Sequence, residues 1–188
     1  MDATALRALQ APIKERYKSE PKAAMITLKA TGRIDEQAIA CKVETGRALA
    51  VAGLHPATGG SGLELCSGDM LLEALVACAG VTLKAVSTAL GVELVDATVS
   101  AEGDLDFRGT LGLAKDAPVG FAAIRLRFAV KTDAPAATLD QVLKLTERYC
   151  VVYQTIRSGP PVWVTLDRVC SDRSTCRTAP RSVARHPP

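Results

Sequence analysis

Six cysteines occur in the 188 residues, at positions 41, 66, 78, 150, 170 and 176, and two of them sit where chemistry is worth weighing. Cys78 lies at the middle of "GDMLLEALVACAGVTLKAVSTALG", residues 68–91, and Cys150 lies 72 residues later in "ERYCVVYQTI". A cysteine reacts as its thiolate, and an oxidised thiol passes through a sulfenic acid that a second thiol can convert to a disulfide. The competing assignment is inert core, because free cysteine is among the most buried residue types. Apolar burial raises a thiol pKa, and a mid-helix position forgoes the dipole at its own helix's N-terminus. A reactive Cys78 therefore needs a cation from elsewhere in the fold, and arginine, which stays charged when partly desolvated, is the natural supplier.

The other cysteines and motifs point less sharply. Cys66, twelve residues before Cys78, is either a third redox thiol or a small hydrophobe closing a loop. Cys170 and Cys176 have no nearby partner pair, so no zinc site is expected. His55 stands alone in a loop, and "ATGGSG" lacks the Gly-Lys-Ser/Thr ending of a phosphate loop.

Positioning two such thiols falls to the elements around them. Residues 70–90 are apolar nearly all the way round, which marks a buried helix rather than a surface one. At 100° per residue, Cys78 shares its face with Leu71, Ala74, Leu75, Thr82 and Ala85. The small alanines let other elements approach; a sheet covers one side, and the other needs a second helix or another subunit. That second helix is predicted to open at a capping box, Thr138 with Gln141, and to carry Leu139, Val142, Leu143 and Tyr149 on one stripe before ending near Cys150. Cys150 extends the stripe and is expected to point inward. Two inward cysteines on two helices packed on one sheet could meet, but their spacing does not decide it.

Strands are predicted at 25–32, 38–46, 92–107, 120–133 and 161–169, with a short amphipathic helix over 5–18, a loop over 54–69 and Gly91 as the stop of the long helix. The order β-β-α-β-β-α-β, with strands in runs, predicts an α+β fold with an antiparallel sheet. Domain limits follow: an N-terminal helical extension (1–24), one domain (25–169) and a flexible arginine-rich tail (170–188).

Composition narrows the function classes. Hydrophobic residues make up 48% and charged residues 23%, enough for a sizeable core, while aromatics are only 4%. Base-stacking platforms are therefore unexpected. Arg173, Arg177, Arg181 and Arg185 against Asp172 give the tail +3, which is the whole net charge, so residues 1–169 sum to zero and no nucleic-acid footprint is present. The N-terminal stretch has no uninterrupted apolar run, and Glu73 and Lys84 interrupt the 70–90 helix, so neither a signal peptide nor a membrane span is expected. The expectation is a cytoplasmic protein whose cysteines meet a reducing compartment.

"GDMLLEALVACAGVTL" resembles the first cysteine motif of the OsmC/Ohr family, "ERYCVVYQTI" resembles its second, and "LHPATGGSG" falls where that family has a proline and paired glycines. The resemblance covers roughly residues 25–169 in the element order predicted above. It implies an OsmC-like fold, an antiparallel sheet packed on a central buried helix, in an intertwined homodimer with active sites at the subunit interface. It also implies thiol-dependent reduction of organic hydroperoxides, with Cys78 as the attacking residue and Cys150 as the resolving one in a Cys78–Cys150 disulfide. The reductant would be an external dithiol, lipoyl-type or other, and no cofactor or metal is called for. An arginine and an acidic residue hold the thiolate in that family. Arg47 is favoured over Arg33, and Asp69, read as the cap of the long helix, is favoured over Glu73. Three departures stand out: Val151 replaces a proline, Gln154 takes a place commonly basic or polar, and Asp69 is shorter than the glutamate of relatives. Two other readings use the same residues: a non-catalytic protein of this fold binding a lipid-like or thiol ligand, and a dithiol redox sensor.

Overall fold

The computed structural model describes residues 2–19, 31–34, 40–44 and 49–166. Helix α1 (Ala3–Ser19) is opened by the Asp2 carboxylate, which accepts from the Ala5 amide at 2.8 Å, and it runs through Pro12, where one helical donor is missing. Strands β1 (Thr31–Ile34), β2 (Ala40–Glu44), β3 (Leu49–Gly53) and β4 (Leu65–Cys66) form one sheet in that order. Its first pairings are antiparallel, and β4 adds parallel to β3. Then follow α2 (Ser67–Ala89), β5 (Asp96–Leu105), a single turn α3 (Phe107–Thr110), β6 (Phe121–Lys131), α4 (Ala136–Tyr149) and α5 (Val151–Ser158). The architecture is α+β, as expected.

Helix α2 has the sequence signals that start and stop it. Asp69 stands in its first turn, where a negative charge complements the positive helix end. At the other end Gly91 adopts φ +70°, its amide donates to the Thr88 carbonyl at 3.1 Å, and the Val92 amide donates to that of Ser87 at 2.8 Å. This pair of bonds satisfies the last carbonyls and needs a residue tolerant of left-handed backbone.

One face of α2 is buried, through Leu75, Ala79, Leu83, Val86 and Ser87, beneath β5, α4 and α5. Leu83 and Val86 join Val142 of α4 in a cluster to which Phe128 and Val130 of β6 and Leu145 contribute. The opposite face is exposed: Glu73, Ala74, Ala77 and Lys84 lie open, and Val81 is 73% exposed. Burial on all sides is therefore not met by the described residues of this chain.

The β5–β6 ribbon is antiparallel, with Glu102 opposite Arg125 and inward residues Val99, Leu126 and Phe128 alternating with outward polar ones. Arg125 also grips Asp104, whose carboxyl that guanidinium holds below the usual range. A one-residue slip would part these charges and turn the apolar row to solvent.

Several local expectations differ from the structure. Strand β3 lies in a stretch for which none was predicted. The first turn of α4 closes on the Pro135 carbonyl, which accepts from the Thr138 and Leu139 amides, so Thr138 lies inside the helix and not at its cap. Tyr149 is exposed, whereas Val142 and Thr146 form the buried stripe. Of the predicted last strand, 161–169, residues 167–169 lie outside the described residues; over 161–166 no strand forms, because among the described residues none lies beside it to pair its backbone, and Val162, Trp163 and Leu166 are exposed. The stretches 25–30 and 35–39 and the tail 170–188 lie outside the described residues.

Leu83 is 5% exposed at the centre of the core, so Leu83→Ala is expected to cost about 2–5 kcal/mol in urea unfolding. Leu63→Ala, at a position 90% exposed, is expected to stay within about 0.5 kcal/mol of the parent. Equal losses at the two positions would mean that the core lies elsewhere.

Candidate active site

The two helices that follow β6 are one helical path broken at a single residue. The Cys150 amide donates to the Thr146 carbonyl at 2.9 Å and closes α4. The Cys150 carbonyl accepts from the Gln154 amide at 3.0 Å and opens α5, with Cys150 itself extended at φ −73°, ψ 106°. The first amides of a helix have no partner within it, so the break frees donors at Val151, Val152 and Tyr153. The Gln154 side chain braces the joint: its Nε2 donates to the Glu147 carbonyl at 2.8 Å, fastening α5 to a carbonyl in the last turn of α4.

Against this joint lies the middle of α2. The Cys78 and Cys150 sulfurs are within hydrogen-bonding reach of one another, both as free thiols, with Cys150 1% exposed and Cys78 half-buried. Burial is the largest single influence on the Cys78 thiol and pushes it up. The Val152 amide, the Cys150 thiol, the Val151 amide and the Thr82 hydroxyl all favour the thiolate, and together they bring the thiol below its ordinary value. Partial burial loses here because a hydrogen bond to a charged group contributes about 1.5–3 kcal/mol when well formed, and several converge. Thr82 counts least: its one proton is given to the Cys78 carbonyl at 2.8 Å and must turn away to serve the sulfur.

Cys150 moves the other way. Its burial is again the largest influence and raises it; the Tyr153 amide opposes the rise, but the hydrogen bond given to Cys78 and the charge there add to it. The arrangement favours a thiolate on Cys78 beside a proton-bearing Cys150. A groove of about 810 Å³ lies nearby, walled by Phe121, Leu126 and Phe128 of β6, Val142 of α4 and Ile156 of α5. Its lining includes Leu75, one turn before Cys78, and Tyr153, but neither sulfur.

Residues 60–165, more than half of the chain, match the family model described as OsmC-like protein. The chain belongs to the OsmC-like protein family. Its fold is that of solved OsmC-like structures. An OsmC-like protein from Mycoplasma pneumoniae superposes with a TM-score of 0.60 at 13% identity, covering 71% of this chain and 89% of that one. An organic hydroperoxide resistance protein from Elizabethkingia anophelis gives 0.57 at 14% identity, covering 72% and 91%. The organic hydroperoxide resistance protein OsmC from Legionella pneumophila gives 0.56 at 16% identity, covering 72% and 93%. No curated protein sequence matches. At such identities the likeness is one of fold.

Within this OsmC-like chain the structure brings Cys78 and Cys150 together and leaves the acidic residues apart from them. The cap of α2 is Cys66, not Asp69; Asp69 stands inside the first turn, and nine residues at 100° each put it on the side opposite Cys78. It lines a separate cavity of about 370 Å³ with His55, Cys66, Leu105, Phe107 and Phe121. Glu73 is exposed on the open face of α2. Arg33 lies in β1 opposite Lys42, and Arg47 lies outside the described residues. Among the described residues, no cation figures in the stabilisation of the Cys78 thiolate; the positive end facing it is the start of α5. A helix dipole does act on Cys78, supplied by another helix. The donors at 151 and 152 were missed because Val151, Val152, Thr155 and Ile156 are β-branched and do not announce a helix.

The thiolate is the reactive form, so a lowered thiol reacts from a lower pH upward and loses reactivity as pH falls through its own value. Peptide-mapped alkylation against pH is expected to show Cys78 inflecting below Cys150. In Cys78→Ser the charged neighbour is gone, and the Cys150 inflection is expected to move to lower pH. Coincident profiles for the two cysteines would contradict this geometry.

Proposed function

We propose that this protein reduces organic hydroperoxides with Cys78 as nucleophile. The Cys78 thiolate attacks the outer oxygen of the peroxide, the O–O bond breaks, and the alkoxide leaves and takes a proton from water as the alcohol. Cys78 is left as a sulfenic acid. The Cys150 sulfur then displaces the hydroxyl, which departs as water with the Cys150 proton, and a Cys78–Cys150 disulfide forms. An external dithiol, lipoyl-type or other, returns both to thiols by exchange. No cofactor or metal takes part in this scheme.

The observation that carries the reading is the pair of sulfurs within reach of one another with their acidities pushed in opposite directions. The names of the Elizabethkingia and Legionella relatives support the substrate class. The adjoining apolar groove supports an alkyl or aryl peroxide over hydrogen peroxide, because burying the organic group adds to binding. A reducing cytoplasm is the setting we assign. We also assign a homodimer, in which a second copy covers the open face of α2 and the exposed Val162, Trp163 and Leu166. Arg47, Arg33, Asp69 and Glu73 would then act across that interface or from segments outside the described residues.

A second reading has an observation of its own: the groove contains neither sulfur, as a site for binding a lipid-like ligand without turnover would have it. Cumene hydroperoxide given to the reduced protein with a dithiol present separates the two. The peroxidase is expected to consume many equivalents, Cys78→Ser to abolish consumption, and Cys150→Ser to leave a sulfenic acid that dimedone traps. A single oxidation with slow recycling would make the protein a sensor, and intact thiols with stabilisation by a fatty acid would make it a binding protein. Sedimentation at micromolar concentration is expected to return the mass of two chains; a monomer would remove the assembly proposed here.

A further inference from the structure

We propose that Gln154 is a positioning residue for Cys150: its side-chain amide holds the helical path broken at that cysteine and keeps the thiol set for disulfide formation. The inference deepens the reading of Cys150 as the partner of Cys78 and rests on it. It concerns what holds the second thiol in place, not which peroxide is reduced.

A single torsion has to be held. Cys150 has φ −73°, which is already helical, and ψ 106°, which is not. A ψ near −42° would complete a continuous helix, so a rotation of about 150° in one backbone bond separates the break from its repair. Repair has something to gain. In an unbroken helix the Glu147 carbonyl accepts from the amide four residues on, that of Val151, and a carbonyl without its donor favours a return to helix. Here the Gln154 Nε2 stands in for that donor, at 2.8 Å. The Gln154 backbone amide donates to the Cys150 carbonyl at 3.0 Å, and the Cys150 amide donates to the Thr146 carbonyl at 2.9 Å. Gln154 thus bonds on both sides of the break, through its backbone to the cysteine and through its side chain to the turn before it. Cys150 is 1% exposed, and α4 and α5 both pack on α2, so any turn of the joint moves the buried sulfur relative to α2.

The two redox forms need this bond unequally. A disulfide to Cys78 ties Cys150 covalently to α2 and forbids repair of the helix. Without the Gln154 amide the oxidised form therefore loses the whole bond. The dithiol form recovers part of it, because the Val151 amide is free to return to the Glu147 carbonyl. Removing the donor accordingly shifts the equilibrium toward the dithiol.

The test equilibrates the full chain with a series of reduced-to-oxidised dithiothreitol ratios and quantifies the Cys78–Cys150 bond by peptide mapping. Parent, Gln154→Met and Gln154→Ala are compared; both replacements suit a helix and lack the donor, but they differ in bulk. Each is expected to disfavour the disulfide about fivefold, as loss of one neutral hydrogen bond would, which is about 20 mV toward a more oxidising potential. Parent-like potentials in both variants overturn the proposal. A shift in one variant alone reports bulk and overturns it too, as does a parent that forms no bond between these cysteines. Should either variant fail to fold, Gln154→Leu takes its place on the same criterion. No peroxide enters the assay. A parent inert to cumene hydroperoxide whose variants shift loses the peroxidase reading and keeps this one, whereas an active parent with unshifted variants loses only this one.

Discussion

The break in the helical path at Cys150 is the constraint on which the site depends. An unbroken helix from Ala136 to Ser158 would spend every amide on its own carbonyls and present Cys78 with a neutral wall. Turning one residue to extended backbone closes α4, opens α5 and leaves free donors beside both cysteines. The same residue supplies the second thiol, so the device that makes Cys78 acidic also places its partner. Gln154 ties the joint shut through the Glu147 carbonyl, which accounts for a polar side chain at that position.

The joint can reach Cys78 only because α2 is slim where they meet. Ala79, fully buried, and half-buried Gly80 and Ala85 surround Cys78 along the helix, and small side chains let other backbones come close. Leu75, Leu83 and Val86 do the anchoring on either side, against α4 and the ribbon of β5 and β6. Bulk at the ends of the buried face and little of it in the middle is what a helix needs when its centre must touch a helix terminus edge-on. The apolar residues left on the open side, Val81 foremost, are not explained by this packing; they fit the covering role assigned to a second copy.

The sequence made the long helix, its glycine stop and the two long strands legible, because each carries a periodic apolar pattern or a left-handed turn residue with a definite physical cause. It also made the inward direction of Cys150 legible, since the residue continues a stripe of α4. Sequence reasoning went wrong where partners are set by tertiary structure. The stretch 161–166 has strand composition and, among the described residues, no strand to pair with. The source of positive potential at Cys78 was sought among arginines, because side-chain charges are visible in a sequence and freed backbone amides are not. The motif puts Asp69 at the helix cap, yet the cap is Cys66, three residues earlier, and that shift alone carries the carboxylate to the far face.

The two sulfurs also control each other in time. A charge on Cys78 is one of the influences that hold the Cys150 proton in place. In the peroxidase reading the first step consumes that charge: once Cys78 is a neutral sulfenic acid, the repulsion on Cys150 is gone, and only burial still opposes its ionisation. The Tyr153 and Val152 amides then face a sulfur that has no competitor for the negative charge. In that reading, oxidation of Cys78 removes an influence that holds the Cys150 proton, so the first step eases the ionisation of the thiol that carries out the second.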